Sequence, residues 1–433
     1  MISEHMSVLN EDDAAQNGWK KKTAIFLSSQ GLSLFGSMLV QYAIIWHVTL
    51  TTQSGAVLTI STICAFLPQI IVSLFAGVWA DRYHRKFIII AADLLIATTT
   101  LFLAVAFMLG YRELWLIFLV AGIRSLGAGI QSPAVNALLP QIVPTERLMK
   151  VNSINSTIQP FIMIVTPVLS GLLLAFSRLE GIFFIDVVTA ILAVSLLLAL
   201  KVPAHQKAAG GQVTGYLDDL KAGLSYIART PTIKNLMIFF AFVFFLIAPV
   251  AFLSPLLVTR SFGTEVWRLT ANEVTFFAGS ILGGFIMTAW GGFTNRFRTI
   301  GLSCILWGLL FIGLGVSNEF TVYLVFMTLA GIPMPFWTAS TTTLLQELVS
   351  PDMHGRVFGV MGLIMSSLMP LGMLVFGPLA DVVPIETLLI LTSFLMAIPG
   401  IWIFTHRQPA PGVITPASAD DEWQAVPCEE PGC

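Results

Sequence analysis

The chain has 433 residues, of which 56% are hydrophobic and only 11% are charged, and its mean hydropathy is +0.85. Soluble domains carry about 25% charged residues, so this composition excludes a soluble globular protein and predicts a polytopic membrane protein. The net charge of -2 is uninformative about partners, and no nucleic-acid-binding pattern is visible. The four cysteines have no paired spacing that would indicate a disulfide framework or a zinc site.

Twelve apolar segments follow one another along the chain, each near the length of about 20 residues that crosses a bilayer as a helix. They predict an all-α fold with two six-helix halves. The segments are 23–48, 55–80, 86–109, 114–139, 152–176, 181–200, 233–259, 271–294, 299–316, 320–346, 356–380 and 384–405.

The distribution of Lys and Arg predicts the orientation, because these residues concentrate in cytoplasmic segments. With a cytoplasmic N-terminal segment, 1–22, most of the 22 basic residues fall on the inner side. That segment lacks the features of a cleaved signal peptide. Both termini are therefore predicted to be cytoplasmic. The outer loops hold only Arg112, Arg178, Arg260 and Arg268.

The predicted domains are two helical bundles, 23–200 and 233–405, joined by a cytoplasmic linker, 201–232, and followed by a tail, 406–433. The linker is predicted to contain a short amphipathic helix on the inner membrane face, because leucine and isoleucine recur there at helical spacing. The tail is rich in Pro, Asp and Glu and is predicted to be disordered. An internal repeat supports two related halves: Leu138 and Leu139 recur as Leu344 and Leu345, and Gly171 recurs as Gly377.

A basic segment, Gly77 to Lys86, interrupts the apolar pattern between the second and third helices. Its pattern Gly77-x-x-x-Asp81-Arg82-x-x-Arg85-Lys86 resembles the signature loop of the major facilitator superfamily. Within that superfamily, the runs Gly122-Ile-Arg124-Ser-Leu-Gly127 and Ser132-Pro133-Ala-Val-Asn136-Ala resemble the macrolide-efflux branch. The resemblance covers about residues 19–407. It implies export of an amphipathic drug by alternating access, driven by proton entry.

The resemblance also implies a gate at the inner face, formed by Gly77, Asp81, Arg82, Arg85 and Glu146. In the family, the carboxylate corresponding to Asp81 bridges to the other half, and the neighbouring arginine pairs with an acid for which Glu146 is the candidate. The alternative is a topology signal and a turn, since the basic residues alone fix orientation. In the partial copy at Gly291 to Arg296, Asn295 replaces the acid, so the gate is expected to be one-sided.

Three charged residues fall inside predicted membrane helices, where charges are costly and often functional. Asp93 and Asp186 are candidate proton carriers, and Arg124 is a candidate for substrate contact. The alternative is a fixed ion pair or a hydrogen-bonded acid that ties helices together.

Polar residues on the first helix, Gln30, Ser33, Ser37 and Gln41, fall within an arc of about 80°. On the fourth helix, Arg124 and Gln131 share a face. We predict that Gln41, Arg124 and Gln131 line an aqueous cavity and bind substrate, although such residues also hydrogen-bond between packed helices.

Aromatic residues concentrate in the seventh helix, which Pro249 and Pro255 are able to break. An aromatic wall suits a bulky amphipathic ligand. Trp337, beside a polar run on the tenth helix, is the aromatic residue predicted to bind the ligand; the alternative for such rings is packing or lipid contact.

The leading hypothesis is a transporter rather than an enzyme, because phosphate-cradling and metal-binding motifs are absent from the sequence. It needs no cofactor or metal, and its expected partners are an amphipathic drug, protons and membrane lipid. We expect a monomer. The alternatives are an exporter of a siderophore or lipid and a proton-coupled nutrient symporter.

Overall fold

The computed structural model describes residues 2–202 and 216–405, apart from the side chains of residues 2–17, 78, 81, 216 and 217. The predicted disordered tail and much of the predicted linker lie outside the described residues. The described part contains 12 helical segments long and apolar enough to cross a membrane, as the sequence predicts. The protein is therefore an all-α, multi-pass membrane protein.

Six long helices form the first half of the chain. The predicted boundaries lie within a few residues of these helices, except that the first helix starts well before residue 23. The helices are α1 (Ile2–Thr52), α2 (Gly55–Arg82), α3 (Arg85–Met108), α4 (Leu114–Ile142), α5 (Leu148–Phe176) and α6 (Leu179–Ala199).

A short helix, α7, connects this half to a second set of six spans. The tenth span is divided into two helices, α11 and α12. The elements are α7 (Tyr216–Arg229), α8 (Pro231–Ser261), α9 (Val266–Trp290), α10 (Arg296–Val316), α11 (Phe320–Gly331), α12 (Pro333–Leu348), α13 (His354–Leu379) and α14 (Ile385–Thr405).

In the second half, the prolines that interrupt a helix are not the ones expected from the sequence. Helix α8 continues through Pro249 and Pro255, both of which are buried, so neither residue breaks it. The tenth span is interrupted instead, immediately before Pro333. Proline has no N–H to donate to the helix ladder. The N–H of Ile332 bonds the carbonyl of Leu329 at 3.1 Å, which is one residue short of the α-helical pattern.

The inner end of the bundle is defined here as the end that carries the Gly77 to Lys86 segment, and the outer end is the opposite one. Helix α7 packs at the inner end against the start of α13. Asp219 and Arg356 form an ion pair of 2.9 Å, and a Cβ atom on Gly223 would lie 2.9 Å from the Arg356 carbonyl oxygen. The predicted amphipathic helix is thus held at the inner end of the second half.

The two halves approach closely at the outer ends of two helix pairs. Where α2 meets α13, a Cβ atom on Gly377 would lie 1.7 Å from the hydroxyl oxygen of Thr59. Where α5 meets α9, a Cβ atom on Gly171 would lie 1.9 Å from the hydroxyl oxygen of Thr270. The helices can approach this closely because glycine has no Cβ atom. The halves are therefore in direct contact at the outer end.

Candidate functional site: a polar cavity between the halves

A cavity of about 660 Å³ lies between the two halves. Helices α1, α2, α4 and α5 supply most of its wall, and α3, α8 and α9 supply the rest. The polar stripe of α1 faces this space, which is where the sequence pattern places it: Gln30, Ser33, Ser37 and Gln41 all line the cavity. A polar stripe inside a membrane protein is stable here because the cavity keeps it away from lipid.

Arg124 and Asp186 form a buried ion pair beside the cavity. Arg124 Nη1 lies 2.5 Å from Asp186 Oδ2, and the two side chains are 9% and 2% exposed. Thr100 donates its hydroxyl to the same carboxylate at 2.9 Å and also contacts Arg124. Arg124 Nη2 donates to the backbone carbonyl of Ser37 at 3.3 Å. The pair ties α3, α4 and α6 to α1, and the charge of Arg124 is balanced by its neighbour.

Asp93 lies in the same region without a cationic partner among the described residues. It is 1% exposed, and its Oδ1 accepts hydrogen bonds from Ser33 at 2.6 Å and from Gln131 at 2.8 Å. Its Oδ2 has no hydrogen-bond partner in that part of the chain. The two predicted proton-carrier candidates therefore differ physically, since Asp186 faces a guanidinium group and Asp93 faces neutral donors. A buried charge without an opposite charge is costly, which makes Asp93 the better candidate to hold a proton.

Sequence reasoning missed Glu273, which lines the cavity from α9. The predicted span begins at residue 271, which puts this carboxylate at the membrane surface. Helix α9 in fact begins at Val266. Seven residues at about 1.5 Å each place Glu273 about 10 Å into the helix. The sequence does show an acidic residue close to an apolar run. Because the predicted span started too late, at residue 271, this acid was not recognised as lying inside the membrane.

The predicted ligand-binding residues divide between the cavity and the protein interior. Gln41, Arg124 and Gln131 line the cavity. Trp337 does not line it. It is 1% exposed, and its ring packs 5.2 Å from Phe240 and 5.8 Å from Trp307. In this conformation the Trp337 ring therefore packs against its neighbours instead of lining the cavity, and its contact with a ligand stays a prediction.

The predicted gate residues lie at the inner end, where α2 extends further than expected. Gly77 and Asp81 belong to α2, and only Tyr83 and His84 separate it from α3. The side chain of Asp81 lies outside the described part of the protein. Arg85 donates to the backbone carbonyls of Ala80 at 3.0 Å and Ala137 at 2.7 Å, so it stabilises helix C-termini within the first half.

The other proposed members of the inner gate do not meet. Arg82 and Glu146 both have described, exposed side chains, and no ion pair joins them. In the partial copy of this segment, Asn295 caps the N-terminus of α10 by accepting from the N–H of Phe297 at 3.0 Å. Asparagine is a favoured N-cap residue, so Asn295 has a local structural role in the second half.

A cluster at the outer end joins the halves directly, and we call it the outer clasp. It comprises residues 53–56 of the first half with Arg260, Ala380 and Asp381 of the second. The Asp381 carboxylate accepts from the N–H groups of Gly55 at 2.7 Å and Ala56 at 2.9 Å. These groups form the N-terminus of α2, where the helix dipole favours an anion.

Two further side chains complete the outer clasp. The hydroxyl of Ser54 donates to Asp381 at 2.8 Å. Arg260 pairs with Asp381 at 2.8 Å and donates to the carbonyls of Gln53 at 2.5 Å and Ala380 at 2.6 Å. The clasp therefore combines an ion pair with several hydrogen bonds across the boundary between the halves.

The hydrogen bonds of the outer clasp set the charge state of its carboxylate. Desolvation raises the pKa of Asp381, but hydrogen bonds from Ala56, Gly55, Ser54 and Arg260 outweigh this effect and lower the pKa to about 2. The carboxylate is thus ionised throughout the physiological pH range.

Comparison with known proteins places the chain in a family of transporters. The family model of the Major Facilitator Superfamily matches residues 23–373. The chain is 30% identical to macrolide efflux protein A of Streptococcus pyogenes over 385 residues, which covers 88% of this chain and 94% of that protein. It is 22% identical to the staphyloferrin A transporter of Staphylococcus aureus over 399 residues, covering 89% and 96% of the two chains.

Solved structures show the same fold. The nucleoside transporter NupG superposes with a TM-score of 0.64 at 17% sequence identity, covering 89% of this chain and 99% of that one. At that identity the similarity concerns architecture alone, so the ligand must be argued from the cavity.

Proposed function

Because the chain belongs to the Major Facilitator Superfamily, we propose that it is a secondary active exporter of hydrophobic or amphipathic drugs, macrolides among them, that works by alternating access in exchange for protons. The observation that carries the proposal is the cavity between the halves, together with Asp93, which is buried behind the cavity-lining residues Ser33 and Gln131 and has no cation among the described residues. The similarity to macrolide efflux proteins supports the choice of ligand. The proposed setting is the bacterial inner membrane, with both termini cytoplasmic and a monomer as the transporting unit.

In this proposal Asp93 carries the coupling proton. Its two hydrogen-bond donors stand on different helices, Ser33 on α1 and Gln131 on α4. A change in the relative positions of these helices would alter how well the charged form is solvated. Asp186 is a less suitable carrier because protonating it would leave Arg124 as a buried charge without a partner, which is strongly destabilising.

The remaining predicted residues have positional roles in the proposal. Gln41 and Gln131 present amide groups to a ligand in the cavity, and Arg124 contributes through its paired guanidinium group. The segment with Gly77, Asp81 and Arg82 closes the inner end in the alternate conformation, in which Glu146 becomes a partner for Arg82.

Drug accumulation in cells tests this function directly. Cells that express the protein should retain less of a radiolabelled macrolide than cells without it, and an uncoupler of the proton gradient should abolish the difference. Asp93→Asn should raise accumulation to the level of cells without the protein. Glu319→Gln is a matched control, because it replaces a carboxylate by an amide at an exposed position in an outer loop. A wild-type difference that survives the uncoupler would refute proton drive.

A siderophore exporter is the second candidate, favoured by the 22% identity to the staphyloferrin A transporter. The same cells distinguish it if the panel includes an iron-chelating siderophore. Lower siderophore retention with unchanged macrolide retention would favour this alternative. Higher retention of any ligand in expressing cells would instead indicate uptake by symport.

A further inference from the structure

We propose that Glu273 and the aromatic residues near it form a binding subsite for an organic ammonium or other lipophilic cation, so that the cavity selects cationic ligands over anionic ones. The inference rests on the proposed function in one respect, namely that ligands enter this cavity. It adds a charge preference and a residue responsible for it.

The charges that line the cavity do not cancel. Its charged lining residues are Arg124 and Glu273. Arg124 is balanced by Asp186 at 2.5 Å. Glu273 takes part in none of the ion pairs formed by the described residues, and the hydrogen bond to it is a long one of 3.4 Å from Asn272. The cavity therefore presents one carboxylate that has no cationic partner among the described residues.

Aromatic rings line the same cavity as Glu273. Tyr42 and Trp46 on α1 have ring centroids 5.7 Å apart, and Phe66 on α2 and Phe252 on α8 have centroids 5.8 Å apart. All four line the cavity with Glu273; Tyr42, Phe66 and Phe252 are partly exposed, whereas Trp46 is fully buried. Aromatic faces attract cations and are weakly hydrated. A carboxylate in a cavity lined by such rings suits a lipophilic organic cation.

The carboxylate is held in place by a hydrogen-bonded neighbour. The Tyr323 hydroxyl donates to Asn272 Oδ1 at 2.8 Å, so the Asn272 amide group points toward Ser254 at 3.3 Å and Glu273 at 3.4 Å. Asn272 and Tyr323 are fully buried. The Asn272 amide thus contacts one carboxylate oxygen of Glu273 without neutralising the group as a cation would.

The subsite is separate from the proposed proton carrier in depth. Glu273 lies near the outer start of α9, whereas Asp93 lies near the inner start of α3. In this proposal the ligand cation binds at Glu273 and the coupling proton binds at Asp93. A ligand can therefore stay bound at Glu273 while Asp93 gains or loses its proton.

Equilibrium binding of two ions of similar size and shape but opposite charge tests the proposal. Purified full-length protein in detergent is dialysed against tetraphenylphosphonium or tetraphenylborate at about pH 7.5. The wild type should bind the phosphonium cation at least about tenfold more tightly. Glu273→Gln should weaken that binding by about tenfold and leave the borate anion equal or tighter, since charged contacts of this kind are stronger than neutral ones. Glu273→Asp should recover part of the loss.

Controls separate the possible outcomes. Glu265→Gln makes the same change at the N-cap of α9 outside the cavity, at a side chain that is 55% exposed, and should leave both affinities unchanged. Equal loss of both ions in Glu273→Gln would show a structural role and overturn the proposal. So would unchanged phosphonium binding, even with a loss of proton-driven transport. Charge-selective binding without drug export in cells would refute the proposed function and leave the subsite standing.

Discussion

The two ends of the boundary between the halves differ in what holds them. At the outer end, the clasp around Asp381 and the glycine contacts at Gly171 and Gly377 join the halves. At the inner end, Arg82 and Glu146 are exposed and are not joined by an ion pair, although that segment carries the most distinctive motif in the sequence. In an alternating-access protein a contact made in one conformation must break in another. The unpaired state of Arg82 and Glu146 is therefore compatible with the proposed inner gate, which would close in another conformation.

The largest effect is expected from blocking the outer contact sterically. Gly377→Val places side-chain atoms where Thr59 already lies, so the outer end cannot close and transport should be lost almost completely. Gly359→Val on the same helix has open space around it and should retain most activity. Drug accumulation in cells measures both. Normal transport by Gly377→Val would show that outer closure is not needed.

A smaller effect is expected from removing the charge of the outer clasp. Asp381→Asn weakens the ion pair with Arg260 and the contacts at the α2 N-terminus, but both Arg260 and Asp381 are about one-third exposed and partly screened by solvent. We expect the population with an open outer end to rise about three- to tenfold, equivalent to about 1 kcal/mol. Spin labels at exposed Thr51 and Val382, with distances from electron–electron double resonance, measure this population.

The matched control for the clasp is Glu386→Gln. Glu386 accepts from Ser261 at 2.7 Å within the second half, so its loss removes an outer contact that does not cross between the halves. The open population should stay at the wild-type value. An equal shift in both variants would mean that the clasp has no special part in closure.

The pH response of the outer clasp should be flat between about pH 5 and about pH 8. Because the pKa of Asp381 is lowered to about 2, its ionised form stabilises the closed state fully above the ordinary value of 3.8 and is lost only as the pH falls through about 2. The same spin-label distances at several pH values check this. A transition in that range that disappears in Asp381→Asn would contradict the assignment.

The smallest effect is expected at the inner end. Arg82 is exposed and makes no ion pair with Glu146 in this conformation, so Arg82→Gln should change the thermal stability of the outer-closed state by less than about 0.5 kcal/mol. If the inner gate forms in the alternate conformation, the variant should nevertheless slow transport. Unchanged transport and unchanged populations would support the simpler topological role of the segment.

Hydrophobicity and local spacing were sufficient to predict the main features of the fold. The twelve spans follow from runs of apolar residues, because a bilayer leaves few other ways to satisfy the backbone. The polar stripe from Gln30 to Gln41 predicted the cavity wall on α1 for the same reason, and Arg124 and Gln131 were placed in it by helical periodicity.

Contacts between distant segments could not be predicted in this way. Trp337 is a large aromatic residue of a kind that often contacts ligands, but its ring packs against Phe240 and Trp307. Only the packing of the helices determines that position. Ser54 and Asp381 are 327 positions apart and meet across the halves. The periodicity of residues within a single helix cannot predict a contact between residues so far apart in the chain.

The sequence by itself determined that this chain is a twelve-span membrane protein with two related halves and polar residues on particular helix faces, because lipid imposes those patterns residue by residue. Only the tertiary structure decided which charges pair, since Arg124 neutralises Asp186 while Asp93 and Glu273 keep no cationic partner among the described residues. It also decided which end is closed. Pairing and closure depend on distances between helices, and those distances are fixed by packing rather than by spacing along the chain.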